Sequence, residues 1–212
     1  MTGATTRNVV RDEVGIDVSA LEEEVIALRK EVRLLQLANA ELERLVVRDT
    51  LTPLYNRRHF MNCLTERLSR LERYGTPCAL LFIDLDGLKQ INDTFGHAAG
   101  DYALLHMARL LAGAIRSTDI AARIGGDEFA LLLDGLSECA ATEKASQLSL
   151  LICETDCRFG EDLLPLSASF GCTALRSDDS DFAAIARADL AMYAAKRRLD
   201  AIAPLAVAAN AP

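Results

Sequence analysis

What this 212-residue chain lacks narrows the possibilities before any motif is weighed. It has no excess of positive charge: 23 Lys and Arg stand against 31 Asp and Glu, for a formal net charge of -8 and a pI near 5.0. Duplex binding rests on basic surface that neutralises phosphates, so a nucleic-acid groove is disfavoured. A nucleotide ligand is not, because a bound divalent metal supplies the missing charge. The chain also has no CxxC pair and no cysteine–histidine cluster at metal spacing. Its six scattered cysteines (Cys63, Cys78, Cys139, Cys153, Cys157, Cys172) read as reduced, mostly buried thiols of a cytoplasmic protein. No signal-peptide core opens the chain, and no stretch approaches the roughly 18 apolar residues of a membrane span. The expectation is a protein without membrane association, controlled through a partner or through its N-terminal region. With half its residues apolar, the chain can bury a full core, and its length suggests one compact domain plus an appendage.

Beyond an N-terminus expected to be flexible (1–17), the clearest periodicity lies over 18–46. Leu21, Leu28, Leu35 and Leu42 recur every seven residues, while Val18, Val25, Val32, Asn39 and Val46 recur in the complementary frame. Valine at a with leucine at d favours a parallel dimer, and one asparagine at a pins register. Glu24 at g and Arg29 at the next e pair between chains in the same alignment. The expectation is a homodimer through a parallel coiled coil over 18–47; the alternative is one amphipathic helix packed on its own domain. Pro53 stops any helix continuing from the stalk, which places a hinge at 48–53.

Downstream, the patterning predicts helices over about 57–73, 88–94, 98–115, 137–154 and 181–198. It predicts strands over 78–84 and 166–175, and two more flanking Gly125-Gly126. A two-glycine turn joins an antiparallel pair, so the fold expected for 48–199 is α+β and ferredoxin-like, a central mixed sheet flanked by helices. The tail, 200–212, is small, apolar and without period, and is expected to be loosely ordered.

Two carboxylates, Asp84 and Asp86, close the apolar strand ending Phe82-Ile83. Acids there hold a hard cation or cap the next segment of chain. Asp127 and Glu128 sit on the Gly125-Gly126 turn, where glycine lets a ligand come close. If the hairpin tip lies beside the end of the first strand, Asp84 and Asp127 or Glu128 share one or two Mg2+ ions, an arrangement suited to phosphoryl or nucleotidyl transfer. An acidic pair at a strand end is structural as readily as functional, so the order and company of the motifs decide.

That company resembles the GGDEF family of diguanylate cyclases. Asp49-Thr50-Leu51-Thr52 with Leu54-Tyr55-Asn56-Arg57-Arg58 opens the match, DLDGLKQINDTFGHAAGD runs from Asp84 to Asp101, and GGDEF itself from Gly125 to Phe129. Ser167-Ala168-Ser169-Phe170-Gly171 and ADLAMYAAK from Ala188 to Lys196 complete it over about 48–198. The resemblance implies a cytoplasmic enzyme that condenses two GTP into cyclic di-GMP across a pair of domains, each holding half an active site. It implies Mg2+, with Mn2+ as a substitute, held by Asp84, the backbone of Leu85 and Asp127, with Glu128 at the same centre. Lys89 and Lys196 would meet the triphosphate, Leu88 would leave the backbone approach to it intact, and Asn92 and Asp101 would read the guanine edge. Arg116 and Asp119 stand at the family's RxxD inhibitory site, where cyclic di-GMP product would bind. His97 reads as turn structure, and Asp86 as metal support or as a hydrogen-bonding group behind it.

The pattern breaks after Lys196: Asp200 stands where the family has a phosphate-binding arginine, and Arg197 or Arg198 could substitute. This departure favours an alternative, a silent domain that acts as a receptor for cyclic di-GMP or GTP; the intact acids oppose it.

Overall fold

The computed structural model describes residues 18–45 and 47–209, the side chains of 18, 40, 41, 43–45 and 198–209 excepted. The expected flexible segment 1–17, the last seam residue Val46, and 210–212 of the tail lie outside the described residues. The chain divides into two units between Val46 and Val47.

The first unit is one helix, α1 (Val18–Leu45), about 42 Å long at 1.5 Å per residue. The leucines and valines of its seven-residue stripe (Leu21, Val25, Leu28, Val32, Leu35, Leu42) are 44–63% exposed, as a single helix must leave them.

The second unit carries β1 (Tyr55–Asn56), α2 (Arg57–Tyr74), β2 (Cys78–Leu85), α3 (Leu88–Phe95) and α4 (His97–Gly113). Then come β3 (Ile120–Gly125), β4 (Glu128–Asp134), α5 (Glu138–Glu154), β5 (Cys157–Phe159), β6 (Asp162–Leu164), β7 (Ala168–Ala174) and α6 (Asp181–Ala209). The sheet order is β1-β3-β4-β2-β7, antiparallel throughout except for the parallel β1–β3 pair. Without β1, the order β3-β4-β2-β7 with its helical crossovers is the expected ferredoxin-like βαββαβ plan.

Strand β2 is central and buried along its whole length because both of its faces are covered. Ala79, Leu81, Ile83 and Leu85 enter the core beneath α3, α4 and α5. Cys78, Leu80 and Phe82 face the other way, against Phe60 and Leu64 of α2 and Ala184, Ala188 and Met192 of α6. On that face α6 lies very close to the sheet. A Cβ on Gly171 of β7 would fall 2.1 Å from the Ala188 carbonyl oxygen and 2.3 Å from the Met192 nitrogen, so only glycine admits the helix there.

Three features depart from expectation. β1 and the β5–β6 hairpin are strands of two and three residues, too short to show an alternating pattern. The last helix does not stop near 198: its backbone continues to Ala209. Only Cys63, Cys78 and Cys157 are buried; Cys172 is half-buried, Cys139 and Cys153 are exposed, and all six are free thiols.

Candidate active site

The register of β2 against β4 pairs Asp84 with Glu128, and on its other side β7 sets Ser169 opposite Asp84. Two backbone bonds tie the loops here: Leu85 N donates to Asp127 O (3.0 Å) and Asp86 N to Ser167 O (2.9 Å). The strand end and the glycine turn, 43 positions apart in the chain, thus form one acidic corner. Helix α6 crosses this corner and delivers Lys196, whose ammonium donates to Asp84 Oδ1 and lies 3.9 Å from Asp86 Oδ1. Asp86 accepts from Ser169 Oγ (2.9 Å) and Ser167 Oγ (3.2 Å).

The charges are in tension. Burial pushes the Asp84 carboxyl up; the Lys196 hydrogen bond and charge pull it down, but Asp127 and Asp86 push it up again, and the balance is upward. Glu128 is also raised, by burial and then by Asp127, Asp84 and Asp189, against a smaller pull from Arg57. Burial works against the Lys196 charge, yet Asp84, Asp86 and Asp127 outweigh it and hold its pKa high. An isolated ion pair would lower its acid while raising its base. Here both partners rise, Asp84 first because it is buried and then because the one lysine faces several acids.

The second group of predicted residues lies on the α3–α4 corner. Gly87 opens α3 at φ +70 with no side-chain cap, leaving the first backbone N–H groups, at Leu88 and Lys89, uncapped. Lys89 is exposed there and Leu88 half-buried; Asn92 is half-buried one turn on. Asp101 is exposed in the second turn of α4, and His97 is exposed in its first.

Arg116 and Asp119 are elsewhere. Asp119 is buried and each of its oxygens accepts a backbone amide, Arg116 N at 3.0 Å and Asp134 N at 3.0 Å. The Arg116 side chain is exposed. The two residues border a cleft of about 220 Å³ whose far wall is Glu143, Lys144 and Gln147 of α5. Asp134 pairs with Cys78, at the opposite end of β2 from Asp84, so six residues of strand, about 20 Å, separate the two sites.

The family model described as "Diguanylate cyclase, GGDEF domain" matches residues 46–200. This chain belongs to the GGDEF family. The diguanylate cyclase TpbB of Pseudomonas aeruginosa is 36% identical over 189 residues, 88% of this chain and 42% of TpbB. Among solved structures, diguanylate cyclase SiaD of Pseudomonas aeruginosa, in complex with its activator SiaC, aligns with a TM-score of 0.70 at 32% identity. The alignment covers 85% of this chain and 70% of SiaD. The coiled coil and GGDEF domain of DgcB from Caulobacter crescentus, in complex with c-di-GMP, aligns with a TM-score of 0.69 at 27% identity, covering 84% of this chain and 95% of DgcB. The chain spans 28% to 44% of the length of curated relatives that it matches.

A hard divalent cation fits the donor chemistry of this GGDEF corner, where like-charged carboxylates raise one another. Among the described residues no three His, Cys, Asp or Glu side chains converge tightly enough to grip an ion unaided.

Sequence reasoning passed over several residues of the GGDEF domain. Arg123 donates through Nε and an Nη to the Gly126 carbonyl (3.0 and 2.7 Å) and through its other Nη to Asp49 (3.4 Å). Asp49 in turn accepts from Thr52 N (2.8 Å) and Thr52 Oγ1 (2.7 Å). An arginine two positions before a Gly-Gly turn was the available signal. Ser167 and Ser169 were visible as a motif but not as the partners of Asp86. The side chain of Asp200 lies outside the described residues; Arg197 is exposed, 6.0 Å from the Tyr193 ring centroid.

Proposed function

We propose that this chain is a diguanylate cyclase. In the reaction, the 3′-hydroxyl of a GTP on one domain attacks the α-phosphate of a GTP on a second. The bond to the β-phosphate breaks, pyrophosphate leaves and the hydroxyl gives up its proton. The reciprocal step closes cyclic di-GMP with a second pyrophosphate. The observation that carries this reading is the acidic corner, in which Asp84 and Glu128 are each pushed up by burial and then by neighbouring carboxylates, while Lys196 bridges Asp84 and Asp86.

Asp84, the Leu85 backbone and Asp127 would hold Mg2+ or Mn2+, with Glu128 beside them. The bound metal supplies positive charge to the triphosphate and the developing negative charge. Lys196 and Lys89, with the open amides of α3, orient the phosphates. Asn92 and Asp101 read the base. Parallel pairing through the 18–46 stripe raises the effective concentration of the second domain. Arg116, at the 220 Å³ cleft, offers its guanidinium to product. Six free thiols and the use of GTP fit a cytoplasmic setting, and no helix among the described residues is long and apolar enough to cross a membrane.

The test is incubation with GTP and Mg2+, with product identified by chromatography, beside an Asp127→Ala, Glu128→Ala double variant. Cyclic di-GMP from the wild type alone is the expected outcome. No product, together with tight cyclic di-GMP binding, would make the chain a receptor, the reading that Asp200 favours.

A further inference from the structure

Gly100 sits in the second turn of α4, buried, with nothing in its backbone conformation that demands glycine. Alanine is the better helix former at such a position, so the glycine calls for another explanation. A Cβ built on Gly100 would fall 2.0 Å from Asn92 Oδ1, 2.9 Å from Asn92 Cγ and 3.3 Å from Leu88 Cδ1. The Asn92 carboxamide therefore points its Oδ1 at Gly100, into space that the Cβ of any other residue would fill.

The contact is anchored on both sides. Gly96 N donates to Asn92 O (2.9 Å), closing α3, and Gly100 N donates to Gly96 O (3.3 Å), opening α4. The corner thus fixes both backbones, and the missing methyl fixes where the carboxamide goes. Asp101 is the next residue along α4, so both residues assigned to the base belong to this one helix corner.

We infer that Gly100 is a specificity-positioning residue: by lacking a side chain, it holds the Asn92 carboxamide in the one place from which Asn92 and Asp101 read a guanine edge together. This rests on the assignment of Asn92 and Asp101 to the base. Gly100 itself touches no substrate. Its effect falls on discrimination between purines, because a displaced carboxamide presents its donor and acceptor to the wrong atoms.

The test measures equilibrium binding of the α,β-methylene analogues of GTP and ATP, with Mg2+, to wild type, Gly100→Ala, Asn92→Ala, Asp101→Ala and the Asn92→Ala, Gly100→Ala double variant. Gly100→Ala is expected to weaken the GTP analogue about tenfold or more, the worth of one to two hydrogen bonds, and to leave the ATP analogue nearly unchanged. In the Asn92→Ala background the carboxamide is gone, so adding Gly100→Ala should leave binding unchanged and raise the melting temperature, as alanine does inside a helix. Equal weakening of both analogues by Gly100→Ala, or the same loss in both backgrounds, would make Gly100 a packing residue and overturn the inference. If Asn92→Ala and Asp101→Ala keep the wild-type preference, the assignment of the base site falls, and this inference with it. If they lose the preference while Gly100→Ala keeps it, the inference alone falls.

Discussion

Replacing Gly171 by alanine tests how tightly α6 is pressed to the sheet. The added methyl would meet the Ala188 carbonyl oxygen at 2.1 Å and the Met192 nitrogen at 2.3 Å, acceptor and donor of one helical i to i+4 step. Backbone atoms cannot rotate aside as a flexible side chain does. To restore an ordinary contact α6 must lift by about 1.3 Å, loosening Ala184, Ala188 and Met192 from the core, at the upper end of the 1–3 kcal/mol typical of overpacking. With a urea m-value of about 2 kcal/mol/M for a domain of this size, about 3 kcal/mol moves the unfolding midpoint down by roughly 1.5 M. Gly113 is the internal control: it is helical, and a Cβ there meets nothing within 4 Å. Gly113→Ala should therefore stabilise by about 0.4–1 kcal/mol. Activity should fall in Gly171→Ala beyond what stability explains, because Lys196 rides on the same helix about 12 Å further along. A Gly171→Ala midpoint within about 0.2 M of wild type, below half the low end of that overpacking range, would refute the close-approach argument.

Glu128→Gln should abolish cyclisation yet stabilise the ligand-free protein at neutral pH. The gain is held to about 0.5 kcal/mol because the group is half-buried and screened by water. Because folding raises the Glu128 pKa above its ordinary 4.5, both folded and unfolded chains are protonated well below that pH, and the advantage of the variant should appear only as pH climbs through it. Asp49→Ala should cost about 1.5–3 kcal/mol by denaturant titration, the worth of hydrogen bonds to a charged group. Burial tends to raise Asp49, but Thr52 and Arg123 hold it below its ordinary 3.8, so its contribution is present above that pH and should fade as the solution is acidified past it. At the second site, Arg116→Ala should remove product inhibition in a velocity assay while leaving the melting temperature unchanged. Asp119→Ala should lose about 2–3 kcal/mol of stability, since its buried carboxylate serves two backbone amides.

The legible parts of this protein were those with a long repeat or a forced turn. Helices α2, α4 and α5 and strand β2 declared themselves through periodicity, and Gly125-Gly126 required an antiparallel pair, which led to the sheet. β1 and the β5–β6 hairpin carry too few residues for a period, and the end of α6 was hidden because small apolar residues read alike in a helix and a loose tail. For the site, the acids were found by type and order, but their arrangement was not. Nothing local says that Lys196, 112 residues from Asp84 in the chain, bonds to it, that Asp119 spends its oxygens on amides, or that Gly100 makes room for Asn92. Such contacts depend on which helix crosses which strand end, and that is settled only by packing.

The central place of β2 also shapes how the protein is made. Both of its neighbours come later in the chain: Ile83 waits for Phe129 of β4 and then for Phe170 of β7. At ribosomal speeds of about 5–20 residues per second, the most apolar strand in the domain emerges roughly 4–17 s before its last partner exists. During that interval Ala79-Leu80-Leu81-Phe82-Ile83 is a bare, uncharged β-former of the kind that joins its own copies. The yield of working domain in a cell is therefore governed by how well that nascent strand is sheltered, and a slower translation rate over residues 86–168 would lower it without touching the folded protein.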